Sequence, residues 1–173
     1  VPPIESLVLS ADGLGPLLLG SDPASYDPAT SIVHEVEVFC NGQADPPVSL
    51  LVPNYAVDNP PFGVARNEGR VTAIGLRSPL IATDRGARIG TTKDALLQLY
   101  PELELVVDAE SSGLGVERYG LRGESTITYF DVDVVGGTLI GAGKVYTIIL
   151  GQYSGEGWPG GGPSFHPVGE SCL

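Results

Sequence analysis

Methionine is absent from this chain, tryptophan occurs once, histidine and cysteine twice each, and only 9 of its 173 residues are basic. Each scarcity narrows the field. The 21 acidic residues set a formal net charge of −12, which repels phosphate backbones and anionic lipid surfaces, so neither nucleic acid nor an acidic membrane is an expected partner. No apolar run approaches the roughly 18 residues of a membrane span. The two cysteines, Cys40 and Cys172, stand far apart with no CxxC and no histidine pattern beside them, so a zinc site is not expected. The missing initiator Met implies a processed or trimmed start. Removal of a secretory signal would produce one, and the expected location is secreted or cell envelope. In an exported protein two lone cysteines pair, and a Cys40–Cys172 disulfide closing so long a loop would restrict the unfolded chain by about 4–5 kcal/mol on the entropy account.

What the chain has in abundance is glycine (24), proline (15) and apolar residues (42%), with only 17% charged. That mixture predicts a turn-rich, strand-rich domain with a core of its own, and not disorder. Residues 4–10 alternate loosely and predict a short strand, followed by an apolar segment punctuated by Gly13, Gly15, Pro16 and Gly20. Pro23 and Pro28 keep any helix over 22–31 short or broken. Residues 32–40 and 48–52 read as strands, with a turn at Asn41-Gly42, and 63–76 as a hairpin turning at Asn67-Glu68-Gly69. Four further strands, over 103–107, 116–121, 125–134 and 144–150, are separated by turn-rich pieces and predict an antiparallel meander. The tail, 152–173, is Gly/Pro-rich and is expected to be irregular and tied down by Cys172, with Trp158 as an anchor.

The clearest helix signal is 91–100. Thr91 is placed to cap it, Asp94 stands three positions on as in a capping box, Ala95, Leu96 and Leu99 share a face, and Pro101 ends it. Two pieces recur in order around this helix. Leu19-Gly20-Ser21 matches Ile89-Gly90-Thr91, and Gly69-Arg70-Val71-Thr72-Ala73-Ile74 matches Gly143-Lys144-Val145-Tyr146-Thr147-Ile148, at near-equal spacing. The expected fold is α+β: two tandem units, each a short helix region and an antiparallel meander, forming one continuous or two adjacent sheets. The first, diverged unit covers 1–82, the second 83–151.

The pattern apolar-Gly-Ser/Thr, short helix ending at Tyr-Pro, meander, Gly-basic-Val-x-x-Ile resembles the small helix-plus-meander unit of the outer-membrane barrel-assembly lipoprotein. Its tandem copy resembles the architecture of the β-lactamase inhibitor protein of soil actinobacteria. The second unit carries the resemblance best. What it implies is an exported protein whose sheet presents a concave surface to another protein. No contact-loop motif of the inhibitor is matched here, so its contact residues are not carried over.

Chemistry-bearing patterns are sparse. On the strand over 32–40, His34 points opposite to Glu35 and Glu37, so the three do not form a metal cluster. Asp131 and Asp133 share a face, but no Ca²⁺ loop follows them. There is no GxSxG, and Ser164 and His166 lie in the Gly/Pro-rich tail. No cofactor is expected. Tyr119, Tyr129 and Tyr146 fall on three successive strands and are the candidate binding residues, as aromatics lining one sheet face. The leading expectation is a monomeric, non-enzymatic module that binds another protein. The competing readings are a hydrolase or carbohydrate-active enzyme using acidic residues gathered by the fold, and a structural envelope domain.

Overall fold

The structure, a computed structural model, describes residues 1–27, 30–38, 48–55 and 59–152. Its first strands are short because glycine and proline interrupt them: β1 (Val8–Ser10), β2 (Gly13–Leu14) and β3 (Leu17–Leu18). The strand expected over 4–10 begins only at Val8. Ahead of it, Ser6 N and Leu7 N bond back to Pro3 O and Ile4 O and close a 3-10 turn over Ile4–Ser6. The helix region over 22–31 is reduced, among the described residues, to a second 3-10 turn at Pro23–Ser25. Strands β4 (Val33–Val38) and β5 (Val48–Pro53) form an antiparallel pair. Strands β6 (Phe62–Asn67) and β7 (Arg70–Leu76) form the expected hairpin, whose turn residues Glu68 and Gly69 both take positive φ, 50° and 78°. Such a turn matches the right-handed twist of the strands it joins.

Beyond β8 (Ala82–Thr83) comes helix α1 (Lys93–Leu99), then β9 (Glu104–Val107), a single-turn helix α2 (Ala109–Ser112), β10 (Val116–Arg122), β11 (Thr126–Asp133) and β12 (Lys144–Gln152). The last four strands are successive antiparallel neighbours, as the turn spacing predicts. They join the β6–β7 hairpin through β12 in one six-stranded sheet, ordered β6-β7-β12-β11-β10-β9. A four-stranded sheet, β3-β2-β1-β8, pairs β1 with β8 in parallel.

Alternation along each strand sorts the six-stranded sheet into two faces. One row across it reads Phe62, Leu76, Ile148, Phe130 and Tyr119. These side chains are buried in the main core with Leu96 and Tyr100 from the α1 region and Leu7, Leu9, Leu14 and Leu17 from the small sheet. The Tyr100 and Phe130 rings meet at 5.1 Å between centroids. The neighbouring row, on the opposite face, reads Gly63, Gly75, Ile149, Tyr129 and Gly120.

Helix α1 is capped one residue later than expected. Thr92, not Thr91, accepts from Ala95 N, so the reciprocal box with Asp94 does not form. Thr91 is occupied elsewhere: its hydroxyl accepts from Arg88 N, and its backbone is docked on β12. That docking is a specific pair of hydrogen bonds, Gly90 N to Val145 O at 2.8 Å and Val145 N to Thr91 O at 2.8 Å. A matching pair occurs earlier in the chain, Gly20 N to Val71 O at 2.7 Å and Val71 N to Ser21 O at 3.0 Å. Gly20 and Gly90 both have positive φ, 75° and 93°, which L side chains adopt only with strain.

Candidate functional site

The three candidate tyrosines do not share a face. Tyr119 pairs with Phe130 and points into the core, 6% exposed. Its hydroxyl donates to Glu117 Oε2 at 2.8 Å, while Lys93 Nζ pairs with that carboxylate at 2.7 Å. Tyr129 lies on the opposite face beside Ile149 and is 1% exposed. Tyr146 falls at a bulge in β12, half-buried, where burial foremost and then the Asp131 charge raise its pKa. The expectation of an open aromatic stripe is therefore corrected. Strand alternation turns Tyr119 into the core, while Tyr129 and Tyr146 both neighbour Arg118 on the other face, where Tyr129 is buried.

On the face that carries Tyr129, Arg118 holds Asp131 through two bonds, Nε to Oδ1 at 2.6 Å and Nη2 to Oδ2 at 2.8 Å. The guanidinium also lies 5.1 Å from the Tyr129 ring centre. Asp133 does different work. Its Oδ1 accepts from the backbone N–H of Val135, Gly136 and Gly137, and its Oδ2 from that of Thr138. These bonds, the one from Thr138 foremost, lower its pKa to about 2. Both carboxylates are thus engaged within the chain, and no group of three or more metal-ligating side chains occurs among the described residues.

The loop that Asp133 pins and the turn beside it carry the most exposed large apolar side chains among the described residues. Leu139 is fully exposed, Val135 is 68% exposed and Leu114, in the neighbouring α2–β10 turn, is 78% exposed. Val134 N bonds to Gly115 O at 3.0 Å, which holds the two loops together. A Cβ on Gly115 would stand 2.4 Å from Val135, so the close approach depends on glycine there. Val135 thus stands beside the Leu114 turn at one end of the second meander, and Leu139 projects from the same loop as Val135, which is held by at least four hydrogen bonds to one carboxylate. Sequence reading passed over these residues as turns. The available signal was the placing of apolar residues inside glycine-rich turns: Leu114 stands between Gly113 and Gly115, and Leu139 between Gly137 and Gly141.

Two concavities hold other polar groups. A cleft of about 260 Å³ between the small sheet and the β10–β11 turn is lined in part by Thr83, Asp84, Arg85, Tyr100, Glu102 and Arg122. Its charges are largely committed. The Tyr100 hydroxyl lies 2.7 Å from Thr83 Oγ1 and donates to Asp84 Oδ1 at 3.2 Å, and Arg85 pairs with Glu102 at 2.6 Å and lies over the Tyr100 ring. Burial foremost raises the Tyr100 pKa. His34 and Glu35 line a second cavity, of about 170 Å³, where Glu35 accepts from Ser49 and pairs with Arg66 at 2.9 Å. These bonds, the one from Ser49 foremost, lower the Glu35 pKa. His34, Glu117 and Asp131 thus sit at three separate places. Cys40, Cys172, Trp158, Ser164, His166 and the Asn41-Gly42 turn lie outside the described residues.

No protein-family model matches this chain, and no curated protein matches it. Among solved structures it is similar to the uncharacterized protein YfeY from Escherichia coli, at 19% identity over 83% of this chain and 99% of that one, with a TM-score of 0.48.

Proposed function

We propose that this protein is a non-enzymatic binding module of the cell envelope or the medium, and that it grips another protein with the apolar tip formed by Leu114, Val135 and Leu139. The observation that carries this reading is the exposure of Val135 and Leu139 on a loop that Asp133 holds by backbone hydrogen bonds, and of Leu114 on the turn bonded beside it. Apolar groups on a mobile loop lose ordering entropy on binding. Fixed in advance, they are free of much of that cost, and clustered apolar anchors supply most of the energy of protein–protein contacts. The tip replaces the tyrosine face as the contact surface.

The proposal includes an origin for the scaffold in two related units. Its support is the repeated docking of Gly20-Ser21 on Val71 and Gly90-Thr91 on Val145. The central pairing agrees: when Val71 is matched to Val145, Gly75 falls on Ile149, and these two are direct partners, flanked by Ile74–Leu150 and Leu76–Ile148. That register is its own image under a local two-fold rotation.

The test is capture of partners from the source organism's culture fluid and envelope extract. The wild-type chain should retain a partner at fixed stoichiometry, and the Leu114→Asp/Val135→Asp/Leu139→Asp variant should lose it while keeping its circular dichroism and melting temperature. Undiminished capture by a folded triple variant sinks the tip as the binding surface.

A further inference from the structure

Strand β9 ends the six-stranded sheet, and among the described residues its only strand partner is β10. The outer backbone N–H and C=O groups of such an edge are a template for an added strand, and proteins block unwanted addition with lysine, proline or a covering element. β9 contains neither lysine nor proline, and Leu105 on it is 52% exposed. Its surroundings are strongly one-signed: the ten residues from Pro101 to Glu110 include four acids and no base. The nearby cations are already spent, Arg85 on Glu102, Lys93 on Glu117 and Arg118 on Asp131.

We infer that β9 is a strand-addition edge for an extended, basic segment of a partner protein, a reading that rests on the protein-binding function above and names the chemistry of its partner. The backbone of the segment bonds to β9, its apolar side chains meet Leu105, and its lysines or arginines face Glu104 and Glu110. The same acids decide against self-pairing. A second copy would bring four acids against four, on chains that each carry −12, and like charges opposed across a strand pair are destabilising.

A synthetic peptide of alternating lysine and valine tests this at low ionic strength, with an alternating glutamate–valine peptide and a proline-interrupted lysine–valine peptide as controls. The lysine–valine peptide should bind, slow amide exchange over 104–107, and weaken at least tenfold for Glu104→Lys/Glu110→Lys and with rising salt. Neither control should bind. The inference is overturned by absence of binding, by equal affinity for the charge-reversed variant, by exchange protection that bypasses 104–107, or by a concentration-dependent dimer built on this edge. The Leu114/Val135/Leu139 variant should bind the peptide as well as wild type does. If the peptide fails to bind while that variant still loses its captured partner, the edge is refuted and the binding tip stands.

Discussion

Asp133 is the residue on which the proposed surface depends, and its chemistry gives a pH signature. Its folded pKa of about 2 lies below the ordinary value of 3.8, so the unfolded chain takes up its proton first as the solution is acidified. Its contribution to stability is complete above pH 4–5 and is lost as pH falls through the window from about 4 to about 2. Asp133→Asn removes the charge from the oxygens that accept four backbone N–H bonds. In urea melts between pH 2 and 5 its stability should fall less steeply on acidification than that of wild type, and exchange over 134–142 should speed up at neutral pH. An unchanged acid slope would show that the carboxylate does not hold the loop. Tyr100 acts at the other end of the scale. Burial raises its pKa, so the neutral phenol is favoured in the fold and stability falls as pH rises beyond the ordinary tyrosine range. Tyr100→Phe deletes the bonds to Thr83 and Asp84 and should cost roughly 1–2 kcal/mol by denaturant titration, with little change in fold.

Helix α1 is too short to stand on its own propensity, so its stability comes from its cap and its docking. Thr92→Ala should destabilise by about 1 kcal/mol. Leu96→Ala, at a position with no solvent exposure, should cost about 2–5 kcal/mol in thermal or chemical melts. Equal costs for the two would mean that packing does not hold the helix. The matching dockings at Val71 and Val145 make a further prediction: the amides of Gly20 and Gly90, each the donor of a short bond, should both exchange slowly. Fast exchange at Gly20 alone would separate the two halves in stability and weaken the case for their equivalence. Elements of this kind were legible from residue pattern. The 62–76 hairpin and the last four strands announce themselves through alternation and turn glycines, because each strand has one core face and local turn chemistry sets its ends. The N-cap was misplaced by one residue because Thr91 and Thr92 are chemically identical candidates. Only the long-range bond to β12 commits Thr91 to the turn.

Across the whole molecule, the six-stranded sheet joins both halves of the chain, and one buried cluster runs from Leu7 to Leu150. The candidate site was much less legible than this scaffold. Tyr119, Tyr129 and Tyr146 are aromatics on successive strands, but the register turns Tyr119 into the core and leaves Tyr129 buried, so they form no open stripe. The exposed tip depends on which apolar side chains the core leaves over, and that is decided only when the core closes. Val135 and Leu139 protrude from the loop whose amides the Asp133 carboxylate accepts, and Leu114 from a turn flanked by two positive-φ glycines. The central claim is that this pinned apolar tip is where the protein holds its partner. Its most direct measurement is the comparative capture from native culture fluid and envelope extract by wild type, by the folded Leu114→Asp/Val135→Asp/Leu139→Asp variant and by Asp133→Asn. The account predicts a stoichiometric partner with wild type, none with the triple variant and a weakened one with Asp133→Asn. A partner held equally well by all three would contradict it.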